Sequence, residues 1–506
     1  MRQGIFIGID LGTTGCKMIL AREDGRIMDS AYVEYPILTM RPGWAEQEPD
    51  AWWRGIAAIS QTLMSRNQSL TKDFLGIGIC GQMHTQVYLD RNNQVLRNAI
   101  TWMDQRSKTL VDGMAGDTRL QEEIYRHTAN FISTTYSGPN ILWVKQNEPE
   151  IYQKTAKILI AKDFIKYKLT GEMLTDYSDA TGTLLLDVVA KRWSPQMFDL
   201  FGIRPELVPD VERSALVMAR VSRQASLETG LPEGLPVING SADQAATALG
   251  AGVIEPGQVS AIVGTAGVVS VCSDKPLPDP KRRTLCWNYC LEDKWLIVGI
   301  MQTAAESLHW FQNAFDKDED NGADAAGRFS VYESEVAKIT DGSEGLIFLP
   351  YLMGERTPYW DADARGVFYG ISLNQHKYHF ARAVMEGVGF GLKNNLETIE
   401  SLGVSVRELR LLGGGSKSRI WREIIAKILG KKIITMKAQE TGALGCSILC
   451  GLALGIYPNV NSAVELLVKA DTELDYPELS PAYARNYQIF RELYGSLKGL
   501  YKKSVI

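Results

Sequence analysis

The feature that most constrains this chain is a device it uses twice, half its length apart. The apolar run Ile5-Phe6-Ile7-Gly8-Ile9-Asp10 leads through Gly12-Thr13-Thr14-Gly15 into a second run, Cys16-Lys17-Met18-Ile19-Leu20. Much later, Val259-Ser260-Ala261-Ile262-Val263 leads through Gly264-Thr265-Ala266-Gly267 into Val268-Val269-Ser270-Val271-Cys272. Short β-branched runs on either side of a glycine-rich tip read as strand, turn and strand. The two Gly-Thr pairs stand 252 residues apart (264 less 12) in a chain of 506. A spacing that long is no solenoid period; it argues for two related units, each opening with a hairpin. Glycine and proline punctuate the chain at Gly250-Ala251-Gly252 and Glu255-Pro256-Gly257, so the expected halves are residues 1–250 and 251–506.

Each tip has a chemical use beyond turning the chain. Glycine lets backbone N–H groups converge on an anion with no Cβ in the way, and the threonine hydroxyl adds a donor. Two such tips facing one another could grip one polyphosphate. Asp10 belongs to the first copy only, because Ile262-Val263 stands at the matching place in the second. A carboxylate ending an otherwise apolar strand is costly to bury alone, which makes a magnesium ion a reasonable partner.

A third glycine cluster, Gly413-Gly414-Gly415, follows the strand-like Leu409 to Leu412 and precedes a helix-like stretch from Ser418 to Leu429. That order leaves backbone open for a nucleotide to lie against. No GxxxxGK[ST] occurs, which excludes a P-loop. The one GxGxxG, Gly76 to Gly81, lies within a strand pattern and continues as Gln82-Met83-His84 without the helix that a dinucleotide fold requires.

Composition excludes other classes. A formal net charge of −5, with no Lys/Arg run longer than the three residues Lys281-Arg282-Arg283, offers no attraction to nucleic acid. The start of the chain has neither the apolar length nor the cleavage site of a signal peptide. The weakly polar stretch Ala443 to Tyr457 is too short for a membrane span and reads as a buried helix. Seven scattered cysteines with no CxxC pair read as small buried hydrophobes, in keeping with a reducing cytoplasm.

Taken together, these motifs resemble the FGGY family of carbohydrate kinases over nearly the whole chain. Gly8-Ile9-Asp10-Leu11-Gly12-Thr13-Thr14 is similar to the family's first phosphate motif, Gly264-Thr265-Ala266-Gly267 to its second, and Leu412-Gly413-Gly414-Gly415 to its adenosine motif. Gly366-Val367-Phe368-Tyr369-Gly370-Ile371, with His379-Phe380 and Ala383-Val384-Met385-Glu386, resembles its C-terminal signature. The N-terminal signature departs, reading Pro139-Asn140-Ile141-Leu142-Trp143 where the family usually has a lysine before the tryptophan.

The resemblance implies an α/β fold of two actin-like, ribonuclease-H-like domains with Mg-ATP and a small sugar in the cleft between them. It implies ATP contacts at Gly12, Thr13, Thr14, Lys17, Gly264, Thr265, Gly413, Gly414, Gly415 and Arg419, and a metal contact at Asp10. Gln82-Met83-His84, Trp102-Met103-Asp104-Gln105-Arg106 and Leu349 to Pro358 are most similar to the xylulokinase branch, so sugar contacts are expected at Gln82, Met83, His84, Trp102 and Asp104. Asp243, in Gly240-Ser241-Ala242-Asp243-Gln244-Ala245-Ala246, resembles the family's catalytic aspartate. A carboxylate there can take the proton of the sugar hydroxyl as it attacks the γ-phosphate. D-xylulose is the first expectation for the substrate, with another ketose, a sugar acid or a polyol behind it. The resemblance is compatible with a homodimer.

Overall fold

The computed structural model describes residues 4–315, 325–475 and 480–503. Ile5–Leu11 and Gly15–Arg22 form the first hairpin, paired antiparallel from Ile5 with Arg22 to Leu11 with Cys16. Both strands are apolar and almost wholly buried, as a sheet covered on both faces requires. Ile27–Glu34, in contrast, alternates between half-buried and exposed positions and closes the edge of the sheet.

The first sheet runs Ile27–Glu34, Gly15–Arg22, Ile5–Leu11, Phe74–Gly81, Pro236–Ile238 and Val217–Arg220 in spatial order. Ile5–Leu11, Phe74–Gly81 and Pro236–Ile238 are parallel, and the outer pairs are antiparallel. The second sheet repeats this plan: Trp295–Met301, Gly267–Ser273, Val259–Val263, Glu408–Leu412, Lys432–Met436 and Ala470–Leu474. Its parallel set is Val259–Val263, Glu408–Leu412 and Lys432–Met436. Leu285–Asn288 adds one further strand beyond Trp295–Met301. The duplication read from two hairpins therefore extends to the order and direction of whole sheets.

The stretch Ala443 to Tyr457 overlaps a buried helix, as expected, which begins two residues earlier and spans Thr441–Ala453. Although it comes from the second half of the chain, it lies on the first sheet, against Ile5–Leu11 and Phe74–Gly81. The contact is backbone to backbone: a Cβ on Gly8 would stand 2.4 Å from the Ala443 carbonyl oxygen, and one on Gly78 would stand 2.2 Å from that of Cys446. This explains the isolated GxGxxG, whose glycines serve helix packing rather than a nucleotide. Leu444, Ile448 and Leu449 of this helix are buried with Phe6 and Leu249. Burial of each such side chain contributes about 1.5–3 kcal/mol before conformational entropy is counted.

Asp243–Gly250 packs along the same helix, close enough that a Cβ on Gly250 would meet the Thr441 carbonyl oxygen at 1.8 Å. All seven cysteines are buried free thiols. Among the described residues, no helix is long and apolar enough to cross a membrane.

Candidate active site

The two tips tie their carbonyls back into the protein in similar ways, although in the second the Gly264 N–H is spent on the Ala266 carbonyl (3.1 Å). In the first, the Gly12 carbonyl accepts from Tyr35 Oη, the Thr13 carbonyl from Gln47 Nε2 (2.6 Å) and the Thr14 carbonyl from the Tyr35 N–H (3.2 Å). With all three acceptors turned into the protein, the Gly12, Thr13 and Thr14 N–H groups have no acceptor among the described residues. In the second, the Gly264 and Thr265 carbonyls accept from Ala305 N–H (2.7 Å) and Ala304 N–H (2.8 Å), at the start of the helix Ala305–Phe315. Thr14 and Thr265 are both exposed. A loop with its carbonyls tied back and its N–H groups outward is a concavity for anions.

The glycine turn lies directly on the second tip. A Cβ on Gly413 would meet the Val263 carbonyl oxygen at 2.7 Å and the Gly264 nitrogen at 3.2 Å, while around Gly414 there is open space. Gly415 is buried, and Ser418 caps the following helix Arg419–Leu429 by accepting from the Trp421 N–H (3.2 Å). The Arg419 side chain is 82% exposed and pairs with Glu423 at 2.9 Å along its own helix. Lys17 is ion-paired with Glu440, at the start of the helix Thr441–Ala453, which ties the first tip to the second half of the chain.

Asp10 and Asp243 meet at one edge of the first sheet for a reason that lies in strand register. Asp10 pairs with Cys80, Cys80 with Ser241, and the short strand Ser241–Ala242 runs straight into Asp243, the first residue of the helix. Both carboxyls therefore sit at the carboxyl ends of parallel strands, where open α/β sheets bind ligands. Burial lifts Asp10 to about 6. Burial and then the Asp10 charge lift Asp243 to about 7, against a hydrogen bond from the Gln244 N–H to its Oδ1 (2.7 Å).

Two desolvated carboxylates, one of them two residues before the first tip, fit a magnesium ion, which takes one or two protein carboxylates and draws its other ligands from phosphate and water. No cluster of three or more His, Cys, Asp or Glu side chains suited to a metal occurs among the described residues.

On the sugar side, His84 adopts φ +67° and is buried, its ring 5.1 Å from Tyr136 and 6.3 Å from Trp287. His84 Nδ1 lies 2.7 Å from the Gly182 carbonyl oxygen. A carbonyl can only accept, so Nδ1 carries the proton and Nε2 is an acceptor for a hydroxyl. Burial lowers the ring to about 4, further depressed by the nearby Arg356. Met83 is buried beside it. Trp102 is half-buried and donates through Nε1 to Thr13 Oγ1 at 2.9 Å, so it links the sugar side to the first tip.

Two of the residues expected to contact the sugar are enclosed and hydrogen-bonded within the protein. Asp104 is fully buried, and its oxygens are taken by the Ala45 N–H (2.6 Å), the Arg106 N–H (2.8 Å) and the Arg106 guanidinium (2.8 Å). Gln82 is equally buried, donating to Gln47 Oε1 at 2.8 Å and accepting from Thr85 Oγ1 at 3.1 Å. With their polar groups spent inside the protein, neither presents surface to a substrate. Asn140, which replaces the usual lysine, is buried too; it accepts from Ser107 Oγ (2.8 Å) and donates to the Thr134 carbonyl (3.0 Å), holding the loop that carries Tyr136.

Glu355 and Arg356 were not among the expected contacts, yet they come from the second half to the His84 side. Glu355 is buried, accepts from the Gln302 (3.0 Å) and Arg356 (2.7 Å) N–H groups, and is raised to about 8 by burial. Only packing of the two halves brings Arg356 near His84, and no sequence spacing signals it.

Comparison with known proteins agrees with this geometry. The model of the FGGY carbohydrate kinase N-terminal domain matches residues 5–250, and that of the C-terminal domain matches residues 259–454. A xylulose kinase of Bacillus subtilis strain 168 is 32% identical, over 98% of this chain and 96% of its own. Two solved structures from Lactobacillus acidophilus, a ligand-bound xylulose kinase (26% identical) and a gluconate kinase (27%), each superpose with a TM-score of 0.91 over 99% of this chain and 100% of theirs. The two sheets are thus the paired halves of the actin-like architecture these kinases share. With both domain models matched in order and a relative at this identity spanning its length, the chain belongs to the FGGY family of carbohydrate kinases.

Proposed function

We propose that this carbohydrate kinase transfers the γ-phosphate of ATP to a hydroxyl of a ketopentose, D-xylulose first, with Asp243 accepting the hydroxyl proton. The attacking oxygen forms the new P–O bond, the bond to the β-phosphate oxygen breaks, and ADP leaves. The first half of the chain supplies the base and His84; the second supplies the adenosine turn. The N–H groups and threonine hydroxyls of the two tips hold the phosphates. Asp10 would hold magnesium, which when bound neutralises charge on the transferring phosphate and leaves the Asp243 carboxylate free as the base.

The observation that carries this reading is Asp243 itself: a desolvated carboxyl raised to about 7, beside Asp10 at the strand ends. A base poised near neutrality is typically worth about 10²–10⁴ in rate, or roughly 3–5 kcal/mol of barrier. His84 Nε2 supports a neutral polyol chain by accepting from one of its hydroxyls, and the relatives named xylulose kinase support the ketopentose.

Asp243→Asn is expected to lower sugar-dependent ADP formation by about 10³-fold or more, with ATP and sugar affinities from titration calorimetry within a few-fold of wild type. Turnover within a few-fold of wild type refutes the base. A sugar acid is the second reading. Arg356 favours it, because its guanidinium makes no ion pair or hydrogen bond among the described residues and lies near enough to depress His84. An ADP-coupled assay across pentuloses, hexuloses, aldonates and tetritols decides: the highest kcat/KM on D-xylulose upholds the first reading, and the highest on an aldonate replaces it with the second.

A further inference from the structure

Beneath the candidate base lies a group of buried charges that the reaction as proposed does not use. Lys162, Asp163 and Lys166 come from the helix Ala161–Thr170, and Asp176 and Asp179 flank the start of the helix Tyr177–Thr181. All five side chains are fully buried. Lys162 Nζ lies 3.0 Å from Asp163 Oδ1, 2.9 Å from Asp176 Oδ1 and 3.2 Å from Asp179 Oδ2, and Lys166 Nζ lies 2.9 Å from Asp163 Oδ1. Two ammonium groups face three carboxyls. Burial pushes Asp179 far above the usual carboxylate range, against the pull of the Lys162 ammonium 3.2 Å from its Oδ2. Such a network is expensive unless each member is held, and removing one partner strands the others.

The network grips one thing in particular, the segment that delivers Asp243. Lys162 and Lys166 both donate to the Asn239 carbonyl, at 3.3 and 2.8 Å. Asp176 Oδ2 accepts from Ser178 Oγ and Ser214 Oγ (2.7 Å), and Ser178 Oγ in turn accepts from the Ala242 N–H at 2.9 Å. A continuous path therefore runs from Lys162 through Asp176 and Ser178 to the residue before Asp243. The other end of the Tyr177–Thr181 helix leads to Gly182, whose carbonyl fixes the His84 ring. Thr181 Oγ1 donates to Asn288 Oδ1 (2.8 Å) on the second sheet. One short helix thus joins the base, the sugar-side histidine and the second half of the molecule.

We infer that Ser178, locked in place by Asp176 and Lys162, is a positioning residue that fixes Asp243 at its working distance from the sugar hydroxyl. The inference rests on the reading of Asp243 as the base. The Gln244 N–H that bonds Asp243 Oδ1 belongs to the same helix, so the carboxyl is placed by how the start of that helix is held, and a base misplaced by about 1 Å can lose 10²-fold in rate. The Ser178 hydroxyl is the last link, because it fixes the Ala242 N–H and with it the angle at which the strand Ser241–Ala242 enters the helix.

The test compares kcat, KM, sugar-independent ATP hydrolysis and thermal midpoint for wild type, Ser178→Ala, Ser178→Thr, Ser214→Ala and Asp243→Asn. Ser178→Ala is expected to lower kcat at least about 10-fold, with KM for sugar and ATP within about 2-fold and the sugar-independent hydrolysis unchanged. Ser178→Thr keeps the hydroxyl and is expected to restore kcat to within about 3-fold of wild type. Ser214→Ala removes a hydrogen bond to the same Asp176 without touching Ala242, and is expected to leave kcat within about 2-fold. If Ser178→Ala does not fold, Ser178→Cys carries the test, since sulfur fills the site but accepts weakly; kcat is again expected to fall about 10-fold. Asp243→Asn inactive with Ser178→Ala at wild-type kcat overturns the inference while sparing the base. Equal losses in Ser178→Ala and Ser214→Ala, or a loss that tracks the thermal midpoint, overturn it in favour of a purely structural role. Active Asp243→Asn removes the base reading itself.

Discussion

Gly442 offers a perturbation whose effects on stability and on activity point in opposite directions. It sits in the first turn of the helix Thr441–Ala453, where an added Cβ would stand 2.5 Å from Asp10 Oδ2 and 3.2 Å from its Cγ. Ordinary contact begins near 3.4 Å, so in Gly442→Ala the carboxylate must retreat by about 1 Å. The atom in the way is the end of a side chain, not backbone, so the helix need not move. Replacing a helical glycine by alanine gains about 1 kcal/mol, and holding Asp10 off its preferred rotamer costs about 0.5–1.5 kcal/mol. The two nearly cancel, which for a protein of this size leaves the thermal midpoint within about 4 °C of wild type. The rate has no such compensation. With Asp10 proposed as the carboxylate that holds magnesium, its displacement by about 1 Å is expected to cost about 10²-fold in kcat, or roughly 2.7 kcal/mol of barrier. Differential scanning fluorimetry and an ADP-coupled assay at saturating sugar and Mg-ATP read the two effects on one preparation. A kcat within threefold of wild type at an unchanged midpoint would refute the argument that the placement of Asp10 matters. A midpoint lower by 10 °C or more would show that the methyl group moved the helix instead.

Other expectations follow from the same geometry. Gly413 has φ +82° and ψ −173°, a region in which essentially only glycine is found, and it abuts the backbone of Val263. Gly413→Ala is therefore expected to raise the KM for ATP about 10-fold or more with the sugar KM unchanged in initial-rate kinetics; an unchanged ATP KM contradicts the placement of the nucleotide. His84 titrates at about 4 in the fold against an ordinary 6.5, so the unfolded chain binds its proton first as pH falls. Stability is accordingly lost as pH drops from about 6.5 through 4, by roughly 3 kcal/mol from this residue. His84→Asn, chosen because asparagine tolerates positive φ, should flatten that limb in urea titrations run between pH 4 and 7. An unaltered pH slope would mean that other groups carry it.

The sequence by itself determined a good deal. Both hairpins, the Leu409 to Leu412 strand, the helix after it and the buried helix near Ala443 were legible, because each rests on local patterning: apolar runs, glycine turns and capping residues. Asp10 was legible as a carboxylate ending an apolar strand, and Asp243 through the resemblance of its surroundings to the family's catalytic aspartate. What only the tertiary structure decided is which polar residues face the cleft. Asp104 and Gln82 have the chemistry of sugar contacts, but Arg106, Ala45, Gln47 and Thr85 claim their hydrogen bonds first. Arg356, conversely, is brought near His84 from 272 positions away (356 less 84), a proximity set by how the halves pack. The Lys162 group looks in sequence like an ordinary charged helix face, and its burial follows from the Asn239 and Tyr177–Thr181 segments closing over it. Local propensity is written in neighbours along the chain; competition for a donor or acceptor depends on neighbours in space, and these exist only once the two sheets and the helix Thr441–Ala453 have come together.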